Sequence, residues 1–165
     1  MADRLHTYIS ITKNEWTKAI AGVDEVCRRA ASAAFEASAD PSMMDVEVSI
    51  LLGDNEKLRT LNREYRKTDE VTNVLSFSNS INGKVLSLVH KPFLLGDIAV
   101  AYEATHNEAK MENKTLEHHL SHLVVHGMLH LFGHDHKRKE EAELMESIEI
   151  QILNSLGVTN PYKSE

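Results

Sequence analysis

One cysteine, three prolines and one tryptophan in 165 residues are the scarcest letters of this chain, and each scarcity excludes something. A lone Cys27 cannot close an intrachain disulfide, which rules out a disulfide-stapled scaffold. Its setting among Val23, Val26 and Ala30 at helical spacing makes it a small buried residue of a reducing compartment. There is no internal repeat, low-complexity tract or glycine-serine linker to divide the chain. No apolar run approaches the ~20 residues that span a bilayer, and Met1-Ala2-Asp3-Arg4 does not lead into the apolar core of a signal peptide. The expected location is therefore cytoplasmic, with no membrane partner. Basic residues are outnumbered, 18 against 25 acidic for a net charge of -7, which argues against a protein that coats nucleic acid indiscriminately. A polyanionic substrate has to be met by a local patch.

Histidine, by contrast, is plentiful and patterned. His126 and His130, four residues apart, fall on one face of a helix one turn apart, where a single tetrahedral ion can bridge both imidazoles. Gly133 then supplies the left-handed conformation that ends a helix and turns the chain, which brings His136 back towards the same point. Three protein ligands leave one position open, the arrangement of catalytic rather than structural zinc. This is the spacing of the His-Glu-x-x-His-x-x-Gly-x-x-His zinc peptidases, but Gly127 stands where those enzymes carry their general base. A glycine inside an apolar helix also suggests that a strand or a substrate comes close to the backbone there. His122, one turn earlier, is read as supporting the ligands or as packing.

The remaining pattern is that of one α+β domain over residues 1–165, a small mixed sheet covered by helices with the histidine helix packed centrally. Leu5 to Ile11 reads as a strand, and Thr12 and Glu15 have the offset of a capping box. A helical region follows to about Ser38, broken near Gly22-Val23-Asp24 and stopped at Asp40-Pro41. Val46, Val48, Ile50 and Leu52 alternate as a strand with one buried face. Asp54 caps a helix to about Arg66 with Leu58, Leu61 and Tyr65 as its apolar stripe. Thr72 to Phe77 and Leu94 to Tyr102 read as strands, Asn79 to Gly83 as a loop, and Gly96 as a bulge or close backbone approach. Helices are expected at Glu103 to Lys110, at Thr115 to Phe132 with Thr115 as cap, and at Lys137 to Leu156.

Three blocks in order resemble the YbeY family of bacterial single-domain endoribonucleases. They are His126-Gly127-Met128-Leu129-His130-Leu131-Phe132-Gly133-His134-Asp135-His136; Leu61-Asn62-Arg63-Glu64-Tyr65-Arg66 with the following Thr72-Asn73-Val74-Leu75-Ser76-Phe77; and Leu95-Gly96-Asp97-Ile98. The chain departs from the family pattern at His134, where tyrosine is common. The resemblance implies a zinc-dependent hydrolase that cuts single-stranded RNA in 16S ribosomal RNA 3′-end maturation and ribosome quality control. Its implied partners are the 16S precursor and the small ribosomal subunit, with no DNA. It also implies that Arg66 is a functional residue.

The expected mechanism has His126, His130 and His136 hold one Zn²⁺ per chain, whose charge lowers the pKa of bound water towards ~7 without a neighbouring glutamate. Arg66 would stabilise the charge on non-bridging phosphate oxygens, although by position alone it reads rather as a solvated helix-end arginine compensating the carbonyl dipoles. The RNA 2′-hydroxyl is an alternative nucleophile. Arg59, Arg63 and Lys67 form either an RNA-facing patch or a mixed-charge surface with Glu56, Glu64, Asp69 and Glu70. Asp135 either orients a histidine or caps its turn. His134 adds a donor, lines the pocket or faces solvent, and Asp97 supports the site or shapes a turn. His118 and His119 are surface or packing residues, and Glu140, Glu141, Glu143 and Glu146 a solvated face. A zinc peptidase-like hydrolase and a ribosome-assembly factor with a structural metal are the other function classes, and three imidazoles also accept nickel, cobalt or copper.

Overall fold

The computed structural model describes residues 4–79 and 92–163, in which four strands and six helices follow the order β1 (Leu5–Ile11), α1 (Glu15–Ala19), α2 (Val23–Ser38), β2 (Val46–Gly53), α3 (Asn55–Arg66), β3 (Val74–Ser78), β4 (Phe93–Ala101), α4 (Tyr102–Met111), α5 (Leu116–Leu131) and α6 (Lys139–Ser155). The sheet order is β1-β2-β4-β3, with β1, β2 and β4 parallel and β3 antiparallel to β4. This is the expected small mixed sheet. The alternation of β2 is real: Val46, Val48, Ile50 and Leu52 are buried, each at 1% exposure or less.

Each sheet face has its own apolar layer. Val46, Ile50, Ile98 and Val100 pack with α2, α5 and α6 residues such as Phe35, Leu120, Met128 and Leu153 in the main core. Leu75, Ala99 and Ala101 pack with Leu58 of α3 on the other side. Helix α5 is apolar around most of its circumference, so burial between α2, α4, α6 and the sheet holds it in the interior. Thr115 caps it, accepting from the His118 amide at 3.1 Å.

Some local expectations fail. Thr12 and Glu15 form no capping box: α1 starts after Asn14 without a side-chain cap, and the Thr12 amide instead extends the strand pairing to the Leu52 carbonyl at 3.0 Å. In α3 the buried residues are Leu58 and Asn62, whereas Tyr65 is 68% exposed, meets Phe77 edge-on and faces an open groove over the sheet. Tyr102 begins α4 rather than ending β4, and Thr72 precedes β3. Of the loop Asn79 to Gly83, residues 80–83 lie outside the described residues. Gly96 fulfils both readings of its position. The register of β4 against β2 shifts there, and the Gly96 α-carbon sits against the Phe77 carbonyl of β3.

Candidate metal centre

The end of α5 is what assembles the site. The Gly133 amide donates to the His130 carbonyl and the His134 amide to the Leu129 carbonyl, both at 3.0 Å, and Gly133 has φ +96°. These two bonds are a Schellman motif, which reverses the chain within one turn. His126, His130 and His136 thereby come together, each offering one ring nitrogen, with the three nitrogens within 4.8 Å of one another. The His126 and His130 ring centroids are 4.5 Å apart, and those of His130 and His136 are 5.0 Å apart. Nitrogens ~2.0–2.1 Å from a tetrahedral zinc lie about 3.3 Å from each other, so the triad needs only small adjustments to close on one ion.

The tautomers support the same fit. His130 Nδ1 lies 2.9 Å from the His134 carbonyl, and His126 Nδ1 is bonded to the Glu149 carboxylate. Both partners only accept, so both Nδ1 atoms carry the hydrogen and both Nε2 atoms present lone pairs. Those two Nε2 atoms are 3.0 Å apart. Two lone pairs at that distance repel unless a cation lies between them. A proton on His130 is disfavoured, because burial and then the neighbouring His126 and His136 push its pKa down to about 4. A metal ion is a cation that three converging imidazole nitrogens suit.

Two supporting residues were not foreseen. Glu149 of α6 is fully buried and takes its place in the stripe Met145, Glu149, Ile152, Leu153. Burial acts to raise its pKa, but the His122 ring beside it and hydrogen bonds from His126 and Tyr162 outweigh that and hold it down at about 2. Tyr162, beyond α6, donates its hydroxyl to Glu149 Oε2. The i, i+4 and i+3 spacing of Glu149 with buried apolar neighbours was the available signal. The acidic run Glu140 to Glu146 on the same helix obscured it.

The other candidates are distributed as follows. His122 supports the site: its Nε2 is 3.2 Å from the Tyr162 hydroxyl and 3.6 Å from Glu149. Asp135 caps its own turn, accepting from the His136 amide at 2.7 Å, and His134 contributes its backbone carbonyl. His119 is a buried packing residue paired with Glu108 at 2.8 Å. Asp97 is exposed on the α3 face of the sheet, away from α5, beside a cavity of about 550 Å³ lined by Tyr8, Leu51, Tyr65, Phe77 and Ala99. It neither supports the histidines nor shapes a turn. Arg59 and Arg63 are occupied by Asp69, at 2.7 and 3.9 Å, which favours the mixed-charge surface.

Arg66 is outside the histidine cluster and linked to it through β3. Its Nη2 donates to the Ser76 carbonyl, and its guanidinium carbon is 5.4 Å from the centre of the Phe77 ring. The Ser76 hydroxyl in turn donates to the carbonyl of Gly127, next to His126, at 3.3 Å, and the Ser78 hydroxyl donates to the Leu131 carbonyl at 2.9 Å. Gly127 is where the close approach occurs. A β-carbon there would lie 3.1 Å from Ser76 Oγ and from two carbons of Ile98, so the peptidase-type glutamate has neither its residue nor its space.

The chain is similar to proteins of one family. The family profile described as "Endoribonuclease YbeY" matches residues 10–157. Among curated proteins bearing that name, one from Rhodopseudomonas palustris strain BisA53 is 43% identical over 159 residues, covering 96% of this chain and 91% of the relative. Another from Nitrobacter winogradskyi is 46% identical over 157 residues, covering 94% and 81%. A Thermotoga maritima protein solved in solution superimposes with a TM-score of 0.56 over 97% of both chains at 21% identity, a likeness of fold.

Proposed function

The chain belongs to the YbeY family of bacterial metal-dependent endoribonucleases, and from that membership we propose that it cuts single-stranded RNA at a zinc ion held by His126, His130 and His136. The observation that carries this reading is the convergence of three imidazole donors within 4.8 Å, two of them already in the tautomer a metal requires. Bound there, zinc would supply a double positive charge that acidifies water and draws charge from a phosphoryl oxygen. The protein's part is to present the lone pairs with little reorganisation and to leave one side of the triad open.

Arg66 is proposed as the catalytic residue of the chain. Its planar guanidinium fork matches two non-bridging phosphate oxygens as charge builds on them. The Ser76 carbonyl and the Phe77 ring orient that plane, which a flexible lysine ammonium does not reproduce. The rings of Tyr8, Tyr65 and Phe77 along the groove on the α3 face suit stacking by unpaired bases, faces that a duplex conceals.

On family membership alone the proposal extends to the substrate and place. They are the 16S ribosomal RNA precursor at its 3′ end, with the small ribosomal subunit as partner and ribosome quality control as context, in the cytoplasm and within one domain spanning residues 1–165. The structural fact beside it is narrower: among the described residues no helix is long and apolar enough to cross a membrane.

The test is metal content of purified protein together with cleavage of a short single-stranded RNA by wild type, His126→Ala and Arg66→Ala. About one zinc per chain is expected, absent from the histidine variant and retained by the arginine variant, with cleavage lost in both. Metal-free wild type, or cleavage that survives both changes, would sink the proposal.

A further inference from the structure

Glu149 and Tyr162 form a polar cluster behind the histidine triad, and the ligand set alone does not account for it. A fully buried carboxylate is costly unless its oxygens are satisfied, and both are: Oε1 by the His126 Nδ1 hydrogen, Oε2 by the Tyr162 hydroxyl. The second partner comes from the end of the chain. Helix α6 closes with the Gly157 amide on the Asn154 carbonyl at 3.1 Å and the Val158 amide on the Leu153 carbonyl at 2.9 Å, a second Schellman motif, with Gly157 at φ +78°. The tail then runs back over the site. Val158 is buried in the core, Lys114 donates to the Pro161 carbonyl at 3.1 Å, and the Tyr162 amide is bonded to Asn160 Oδ1 at 2.8 Å.

We infer that Glu149 is a positioning residue for His126 and that the tail Gly157–Lys163 is a clasp which fixes Glu149 through Tyr162. The inference rests on the reading of His126, His130 and His136 as metal ligands. Glu149 selects the tautomer with the hydrogen on Nδ1, holds the ring at one rotation, and makes Nε2 a stronger donor. The Tyr162 hydroxyl prevents the carboxylate from turning away from that bond. His130 has no need of this pair, because the backbone carbonyl of His134 does the same for it. The triad thus has one ligand set by its own helix terminus and one set from α6 and the tail.

The experiment is competition for zinc between a chromophoric chelator and wild type, Glu149→Gln or Tyr162→Phe, with the visible absorption of the cobalt-loaded proteins and the urea midpoint of the metal-free ones. Glu149→Gln is expected to bind zinc about 10–100-fold more weakly, and its cobalt bands to shift as the His126 ring loses its fixed orientation. Tyr162→Phe is expected to weaken binding on the order of several-fold and, because it leaves Oε2 of the buried carboxylate without its hydroxyl donor, to lower the metal-free urea midpoint as well. A folded Glu149→Gln with wild-type affinity and wild-type cobalt bands overturns the inference. If that variant does not fold, Tyr162→Phe decides, and wild-type affinity there overturns it. Wild type that takes up no metal refutes the ligand reading, and this inference with it. Wild type that binds zinc and cleaves RNA while both variants bind equally tightly refutes the positioning role alone.

Discussion

Gly96→Ala should be among the most damaging single-methyl changes available to this protein. A β-carbon built on Gly96 lies 2.3 Å from the Phe77 carbonyl oxygen and 2.7 Å from Leu131 Cδ2, on a residue with φ +156°. Leucine can rotate, at a cost of ~1 kcal/mol for an off-rotamer side chain. The carbonyl cannot, because it belongs to β3, which is paired with β4 at Phe77 to Asp97 and Ser78 to Gly96. Relief requires β3 to retreat by roughly 1 Å, the difference between the clash and an ordinary contact. That weakens the pairing and the bond from the Asn79 amide to the Leu95 carbonyl, now 3.0 Å. With that rotamer cost, backbone strain of ~1–3 kcal/mol and one or two hydrogen bonds at ~1 kcal/mol each bring the expected loss to about 3–6 kcal/mol. Gly127→Ala is the comparison, since its β-carbon meets only side chains, at 3.1 Å. There a helix-propensity gain of ~1 kcal/mol opposes overpacking of ~1–3 kcal/mol, for a net loss of about 0–2 kcal/mol. Urea unfolding of the metal-free proteins at neutral pH, followed by far-ultraviolet circular dichroism, measures both. A Gly96→Ala protein within ~1 kcal/mol of wild type, or more stable than Gly127→Ala, would refute the reasoning.

Two further outcomes follow from buried titratable groups. Burial, helped by Asp24 and opposed by Arg28, pushes the Cys27 thiol up to about 12, so an aromatic disulfide reagent should label it only as fast as the protein unfolds. Prompt labelling in native buffer would contradict its placement. The metal-free protein should lose stability on acidification. His130 is neutral in the fold down to about 4 against an ordinary 6.5, and Glu149 stays charged down to about 2 against 4.5, so below each ordinary value the unfolded chain binds more protons. The urea midpoint should fall first between about pH 6.5 and 4 and again towards pH 2, with the first step reduced in His130→Asn. A midpoint that is flat from neutral pH to 4 would count against the neutral, clustered histidines.

The parts of the site that were legible in the sequence are those made by local geometry. The one-turn offset of His126 and His130, the left-handed Gly133 and the return of His136 all depend on a stretch of eleven residues, and the alternation of β2 and the Thr115 cap are local in the same sense. What was not legible is tertiary. Glu149 is buried because α6 lies against α5, and Tyr162 reaches it only because the tail folds back, so neither follows from charge pattern on its own helix. Tyr65 fails in the opposite way, since its helical spacing is right but it faces an open groove over the sheet instead of packing into it. Thr12 and Glu15 had capping-box chemistry, but the Thr12 amide was already committed to β2.

The two serine bonds from β3 to α5 have a geometric consequence. Gly127 and Leu131 are four residues apart on a helix, a rise of about 6 Å, and Ser76 and Ser78 are two apart on a strand, about 6.6 Å. The two repeats are commensurate, so the strand and the helix engage like a rack and a gear tooth. A slip of β3 by one residue would turn both hydroxyls to the far side of the sheet, and a slip of the helix by one residue would swing both carbonyls by about 100°. Neither element can drift alone, which fixes the distance from the Arg66 anchor on Ser76 to the histidine face of α5 as a whole number of teeth.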